Sequence, residues 1–166
     1  MTKSNTPPVV FAVYPNANGF GFVYMENALK LIDYGSVRIT PICNTKIIDR
    51  IHRSFEYFRP SIVLVQNPEG KTSRAGKRVR DLVEKIVAYA TANNLPVVQY
   101  SRDQIRDVFE QFGATTKYQI SQILLGGFKE LASKSPKQRS LWTSEDRNMA
   151  IFDALSLALT WYYLND

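Results

Sequence analysis

The sequence predicts an α/β fold with a mixed five-stranded sheet, in which a three-strand antiparallel meander is joined to two parallel strands and flanked by helices. Three observations support this prediction. The first third of the 166-residue chain contains three consecutive β-rich segments. The middle third alternates between segments of helical period and short continuous apolar runs. The last third is helical, which leaves enough helices to cover both faces of the sheet.

The meander is predicted from three segments rich in Val, Ile, Phe and Tyr. They are VVFAVY, GFGFVYM and LIDYGSVRI, at residues 9–14, 19–25 and 31–39. The dipeptide Asn18-Gly19 is expected to form the tight turn between the first two, because both residues tolerate the positive φ that hairpin turns require. Residues 1–8 are expected to form a flexible tail, and residues 9–166 a single domain.

The two parallel strands are predicted where apolar runs follow amphipathic helices. One helical face consists of Ile47, Ile48, Ile51, Phe55 and Phe58. Pro60 ends that helix, and SIVLVQ (61–66) has the composition of a buried parallel strand. A second apolar helical face over 79–90 precedes PVVQY (96–100), which is predicted as the fifth strand. Helices between parallel strands supply the crossovers that such strands need.

The last third is predicted to be helical. Helices are expected over 101–111 and 117–132, and Gly126-Gly127 favours a bend or an end in the second of them. A polar loop, ASKSPKQRS (132–140), follows.

The final helix is predicted over 145–164. Ser144 is its expected N-cap residue. Glu145 and Asp146 then fall in the first turn, where the helix dipole favours acidic side chains.

Composition limits the classes of function. A formal charge of +6 favours a polyanionic partner such as nucleic acid, although a merely soluble basic protein has the same charge. The single Cys43 excludes an internal disulfide and a cysteine-based zinc site. No apolar run is long enough to cross a membrane, and the polar segment MTKSNTPP does not resemble a signal peptide. A cytoplasmic location without membrane contact is therefore expected.

Four segments carry a family resemblance through their order and spacing. They are AVYPNANGFGF, PSIVLVQ, YSRDQIRDVFEQFGATTKYQIS and FDALSLAL, and together they span roughly residues 9–162. In this order they resemble motifs of the RuvC-type Holliday-junction resolvases of the ribonuclease-H-like superfamily. The resemblance implies a ribonuclease-H-like mixed five-stranded sheet, a nucleic-acid partner with branched DNA as a candidate, and a homodimer.

The resemblance also implies a degenerate metal site. In the family, about four carboxylates hold two Mg²⁺ ions that clamp the attacking and leaving oxygens of a phosphodiester. The corresponding positions here are Tyr14 on the first strand, Gln66 on the fourth, and Ala150 and Asp153 on the last helix. Only Asp153 is a carboxylate, which makes it vestigial, so no metal or cofactor is expected to bind.

An alternative is an active Mg²⁺-dependent endonuclease in which other acids replace the lost ones. Glu69 follows the fourth strand, and Asp146 lies two helical turns before Asp153. Seven residues of helix separate the backbones of Asp146 and Asp153 by about 10 Å, too far for a routine shared metal site. An exposed turn acid and a charged first helical turn are the favoured interpretations of Glu69 and Asp146.

Basic residues give the candidate nucleic-acid contacts. The segment GKTSRAGKRVR (70–80) contains no acid and carries Lys71, Arg74, Lys77, Arg78 and Arg80. Arg74, Lys77 and Arg78 have helical spacing, so they are predicted to form one basic face that either binds phosphate or is merely solvated. The resemblance aligns Lys117 with a family lysine that faces DNA phosphate, and Lys137 and Arg139 belong to a second basic patch.

Three functions remain open at this point. The leading one is a nucleic-acid-binding protein that is no longer a nuclease, the second is the rearranged endonuclease, and the third is a protein-interaction scaffold. The aromatic residues near the end of the chain are interpreted as core or dimer contacts rather than base-stacking groups. They are Trp142, Trp161, Tyr162 and Tyr163.

Overall fold

The computed structural model describes residues 8–69 and 75–165. The strands are β1 (Val10–Asn16), β2 (Gly19–Asn27), β3 (Lys30–Arg38), β4 (Ile62–Asn67) and β5 (Val97–Ser101). The helices are α1 (Asn44–Phe58), α2 (Lys77–Ala92), α3 (Arg102–Glu110), α4 (Lys117–Gly127) and α5 (Met149–Leu164). A short 3₁₀ helix, Lys129–Lys134, follows α4.

The sheet has the order β3-β2-β1-β4-β5. β1 pairs antiparallel with β2, and β2 pairs antiparallel with β3. β1 and β4, and then β4 and β5, pair in parallel. The predicted fold class, a meander joined to two parallel strands within a helix-flanked sheet, is therefore confirmed.

Alternate residues of β1 belong to two separate cores. Val10, Ala12 and Tyr14 pack with α3, α4 and α5 on one face of the sheet. Phe11 and Val13 pack with α1 and α2 on the other. This alternation follows from the two-residue period of a strand, and it explains why β1 is apolar at consecutive positions.

The first hairpin turns one residue earlier than predicted. Asn16 pairs with Gly19, so Ala17 and Asn18 form the turn instead of Asn18 and Gly19. The Asn16 side chain stabilises this turn by accepting a hydrogen bond from the Asn18 backbone N–H at 2.9 Å. Gly19 has a φ of 155°, and a Cβ there would overlap the backbone carbonyl of Val37. A glycine at this position therefore allows the backbone of β3 to pass close to the turn.

A second glycine brings the last helix onto the sheet. Gly21 lies on β2 opposite Tyr14 of β1. A Cβ at Gly21 would overlap the backbone carbonyl of Ala150 on α5. This close approach places the first turn of α5 directly against the sheet, next to the end of β1.

The last third of the chain differs from the prediction in two places. α4 ends at Gly127, and the 3₁₀ helix occupies part of the predicted 117–132 helix and of the predicted 132–140 loop. α5 begins at Met149 with Asn148 as its N-cap residue, so the prediction of a Ser144 cap and of acids in its first turn was wrong.

The physical reason is the hydrogen bonding of Asp146. Its carboxylate accepts hydrogen bonds from the backbone N–H groups of Asn148 at 2.8 Å and Lys137 at 3.0 Å. An aspartate that bonds the backbone two residues on favours a turn over a helix.

Residues 1–7 of the predicted tail lie outside the described part of the chain. Among the described residues, no helix is long and apolar enough to span a lipid bilayer.

Candidate nucleic-acid interface

A cleft of about 530 Å³ opens at the carboxyl ends of the parallel strands. In open α/β sheets this edge is where ligands bind. β1 contributes Tyr14, β4 contributes Gln66, and α5 contributes Asp153. The basic side chains that line the cleft are Arg102, Arg106, Lys117 and Arg139. We refer to this feature as the basic cleft.

Lys117 bridges the two acids of the basic cleft. Its Nζ lies 3.2 Å from Oδ2 of Asp153 and 3.5 Å from Oε2 of Glu145. The same Nζ lies 5.7 Å from the centre of the Tyr14 ring, within the range of a cation–π contact. The ammonium group therefore sits among two carboxylates and an aromatic face.

The local fold explains how Lys117 reaches this position. Thr116 caps α4, and its side chain and that of Gln119 form a reciprocal capping box. Lys117 is consequently the first residue of α4. A cation there is disfavoured by the helix dipole, so the neighbouring carboxylates provide the compensating charge.

Electrostatics fix the protonation states of this group at neutral pH. Burial acts to lower the pKa of Lys117, but the attraction of Asp153 and Glu145 opposes it, and the net pKa lies above the usual lysine value. Burial raises the pKa of Tyr14 to about 12, and the nearby Asp153 carboxylate adds to the effect. Lys117 is therefore charged and Tyr14 is a neutral phenol.

Gln66 lines the basic cleft and carries a buried side-chain oxygen. The residue is 7 % exposed, and its Oε1 has no hydrogen-bond partner among the described residues. A buried acceptor of this kind costs free energy unless a donor reaches it.

Arg102 and Arg106 are cleft residues that the sequence analysis missed. Ser101 ends β5 and caps α3 through a capping box with Gln104, so Arg102 occupies the first turn of α3, where it lines the cleft. Arg106, one turn later, pairs with Asp103 at 3.1 Å. The signal was present in the sequence, because any residue directly after a parallel strand lies at the ligand-binding edge of the sheet.

The donor set of the cleft does not fit two divalent ions. Asp153 and Glu145 are the acids that line it, and both contact the Lys117 ammonium. Across residues 8–69 and 75–165, no group of three or more His, Cys, Asp or Glu side chains is arranged to hold a metal ion. Two Mg²⁺ ions need several hard oxygen ligands, which this arrangement does not provide.

The other acids considered as substitutes lie away from the cleft lining. Glu69 pairs with Arg80 at 2.9 Å in an exposed ion pair. Asp146 hydrogen-bonds two backbone N–H groups, as described above. Ala150 is buried against Gly21. The structure therefore brings Tyr14, Gln66 and Asp153 together, but not Glu69, Asp146 or Ala150 with them.

The basic segment divides into residues with different surroundings. Lys71 and Arg74 lie outside the described residues. Lys77 begins α2 and is exposed. The Arg78 guanidinium donates hydrogen bonds to Oδ1 of Asn44 at 2.9 Å and to the carbonyl of Asn16 at 2.7 Å, and it thereby ties α2 to α1 and β1. Arg78 was predicted on a basic face that either binds phosphate or is solvated, and its guanidinium is instead engaged with Asn44 and Asn16.

The second basic patch borders the cleft through one residue. Arg139 lines the cleft and donates from Nε to the carbonyl of Thr143 at 3.1 Å. Lys137 is exposed, and its backbone N–H bonds Asp146. Among the late aromatics, Trp161 and Tyr162 pack against the core, whereas Trp142 is 95 % exposed and does not belong to it.

Comparison with solved structures identifies the class of fold. The chain is similar to RuvC of Thermus thermophilus, with a TM-score of 0.65, 19 % identity and coverage of 95 % of both chains. For the same resolvase in complex with a Holliday-junction substrate the TM-score is 0.63, again with 19 % identity and 95 % coverage of both chains. For the yeast mitochondrial Holliday-junction resolvase Ydc2 the TM-score is 0.64 at 14 % identity, and the alignment covers 97 % of this chain and 80 % of the Ydc2 chain.

The chain therefore has the ribonuclease-H-like fold of the RuvC-type resolvases, as the sequence motifs predicted. No protein-family model and no curated protein sequence matches the chain.

Proposed function

We propose that this protein binds the phosphate backbone of nucleic acid in the basic cleft and does not hydrolyse it. One observation carries the proposal: a lysine ammonium, held between the two acids of the cleft, stands where a metal-dependent nuclease of this fold needs carboxylates free to bind metal. The site is then a degenerate descendant of a metal centre whose remaining role is recognition.

The charge balance of the cleft favours an anionic ligand. Its lining, as far as the structure describes the chain, contains four cationic side chains, Arg102, Arg106, Lys117 and Arg139, and two acids. Lys117 contacts both acids and Arg106 pairs with Asp103, so among the described residues Arg102 and Arg139 line the cleft without a salt bridge to an acid. Guanidinium groups suit phosphate oxygens because they donate two parallel hydrogen bonds. Gln66 and the neutral Tyr14 add polar groups that carry no repulsive charge.

The solved relatives indicate which nucleic acid to test first. Thermus thermophilus RuvC has been solved with a Holliday-junction substrate, and fowlpox virus resolvase with junction DNA. The fowlpox structure is a more distant match, with a TM-score of 0.51. Branched DNA is therefore our candidate ligand. The homodimer expected from the family resemblance stays a prediction, and sedimentation of the purified protein tests it.

The two alternative functions, a rearranged endonuclease and an interaction scaffold, require different arrangements of the described residues. A rearranged endonuclease needs Glu69, Asp146 and Asp153 to converge, and each instead contacts a different partner. An interaction scaffold has no need for a cleft rich in arginine.

A binding titration separates these functions. Fluorescence anisotropy of labelled four-way junction, duplex and single-stranded probes is measured in EDTA at two salt concentrations. We expect binding at micromolar protein, with an affinity that falls as salt increases because bound cations release counterions from the phosphates. A wild-type protein that binds none of the probes would instead support the scaffold.

A further inference from the structure

Two consecutive apolar side chains project from the loop beside the basic cleft. Leu141 and Trp142 are each 95 % exposed. Within the described part of the chain, no other large apolar side chain is as exposed. Isolated exposed apolar residues are ordinary, but a tryptophan and a leucine side by side in water carry a hydration cost that a bound partner would relieve.

The loop holds these side chains outward through hydrogen bonds of its own. The Ser140 backbone N–H bonds Oγ1 of Thr143 at 3.0 Å, and the Thr143 backbone N–H bonds the Ser140 carbonyl at 3.3 Å. Residues 140–143 thus form a tight turn with Leu141 and Trp142 at its tip. We call this feature the Trp142 turn.

The base of the loop is fastened as well. The Asp146 carboxylate joins the backbone of Lys137 to that of Asn148. Ser36 on β3 bonds the carbonyl of Arg147 at 3.0 Å. The Trp142 turn is therefore presented from fixed ends, which lowers the ordering cost of a contact made at its tip.

Charge at the turn indicates the chemistry of the partner. Arg139 lines the basic cleft and bonds the Thr143 carbonyl, so one side chain connects the cleft to the Trp142 turn. A ligand that suits both features carries phosphates for the arginines and a flat aromatic surface for the indole. An unpaired nucleotide has this combination, whereas the bases of a fully paired duplex are stacked within the helix.

We propose that Trp142, flanked by Leu141, stacks on an unpaired base of a nucleic acid whose backbone lies in the basic cleft. This inference rests on the proposed function and adds a selectivity to it. The cleft supplies salt-dependent affinity for any backbone, and the Trp142 turn distinguishes strands with exposed bases from continuous duplex.

The test compares two probes and two variants. The probes are a duplex with a single-stranded bulge and the fully paired duplex of the same sequence. Trp142→Ala is the test variant. Tyr57→Ala is the matched control, because Tyr57 is 81 % exposed on α1, which covers the opposite face of the sheet. Affinities are measured by anisotropy at several salt concentrations.

We expect Trp142→Ala to weaken binding of the bulged probe about 5- to 150-fold, the range for loss of one base–aromatic stack. The paired duplex should bind within about two-fold of wild type, and the salt dependence should not change, because stacking releases no counterions. Tyr57→Ala should bind both probes like wild type. Equal affinities of wild type and Trp142→Ala for the bulged probe, or an equal loss on both probes, would overturn the inference.

Fluorescence provides an independent readout. The chain has two tryptophans, so Trp161→Phe leaves Trp142 as the sole indole. Its emission should be quenched on titration with the bulged probe and should stay constant with the paired one. A change of oligomeric state in Trp142→Ala would overturn the inference in favour of a contact between copies. If the wild type binds neither probe, the proposed function fails as well, whereas wild-type binding without a Trp142 effect removes this inference alone.

Discussion

The Lys117 ammonium lies 3.2 Å from the Asp153 carboxylate, and both residues of this ion pair line the basic cleft. Asp153 is 4 % exposed, so its charge depends on Lys117 for compensation. Lys117 is more accessible and also contacts Glu145. The pair is asymmetric, and the consequences of breaking it depend on which partner is removed.

We expect Lys117→Met to be more destabilising than Asp153→Asn. The first leaves a buried carboxylate without a partner and should lower the free energy of unfolding by about 1–3 kcal/mol. The second leaves a lysine with solvent access and a remaining acid, and should cost less than about 1 kcal/mol. Urea denaturation at neutral pH measures both. A larger loss for Asp153→Asn would show that the pair is not organised as described.

Tyr14 should make stability depend on pH in alkaline solution. Its folded-state pKa of about 12 lies above the usual value of 10 because burial disfavours the phenolate. A raised folded pKa means that the contribution of Tyr14 is full below about pH 10 and is lost as pH rises through about 12. Tyr14→Phe should remove this dependence. The wild type should therefore lose about 1 kcal/mol more than the variant between pH 9 and about pH 11.

Urea denaturation of both proteins at these two pH values provides the measurement. Comparison with Tyr14→Phe isolates one phenol from the other tyrosines, which include the buried Tyr24. Parallel losses in wild type and variant would contradict the assignment of Tyr14 as a buried neutral phenol.

No strand cleavage is expected with Mg²⁺ or Mn²⁺ on four-way junctions, duplexes or single strands. The reason is the donor set of the cleft, in which Tyr14 and Gln66 carry no charge and Lys117 engages both acids. Denaturing gels of end-labelled probes detect any product. Metal-dependent products that disappear in Asp153→Asn would restore the endonuclease interpretation.

Arg78 and Lys77 should behave differently although they are neighbours. Arg78→Ala removes the hydrogen bonds to Asn44 and Asn16 and should lower the free energy of unfolding by about 1–3 kcal/mol. Lys77 is exposed, and Lys77→Ala should change stability by less than about 0.5 kcal/mol. Thermal and urea denaturation of the two variants make the comparison, and equal stabilities would show that the Arg78 contacts do not hold α2 in place.

The sheet could be predicted from the sequence because burial on both faces leaves a direct signature. β1 and β4 are buried on both faces and therefore read as continuous apolar runs. α1 and α2 are buried on one face and therefore show apolar residues at helical spacing. The ends of the helices were harder to predict from the sequence. An aspartate such as Asp146 is typical of the first turn of a helix. Here its carboxylate instead accepts hydrogen bonds from the backbone of Lys137 and Asn148, and α5 begins only at Met149.

The site was predictable in part for a similar reason. Tyr14, Gln66 and Asp153 lie at strand ends or on the last helix, so topology alone brings them together. The pairing of Lys117 with Asp153 joins residues 36 positions apart and depends on how α4 packs on α5. The role of Arg78 likewise depends on tertiary contacts that spacing along one helix does not reveal.

The proposed function depends on phosphate binding by the arginines of the basic cleft. The most direct measurement is the salt dependence of junction binding in EDTA for wild type, for Arg102→Gln/Arg106→Gln, and for Arg50→Gln/Arg53→Gln. The last variant removes two exposed arginines from α1, on the opposite face of the sheet, and so loses the same charge away from the cleft. We predict that the cleft variant binds more weakly and that its slope of log affinity against log salt falls by about one to two, roughly 0.9 per lost phosphate contact, because Arg106 also pairs with Asp103. The α1 variant should keep the wild-type slope. Equal slopes for wild type and the cleft variant, or an equal reduction in both variants, would show that Arg102 and Arg106 do not bind phosphate.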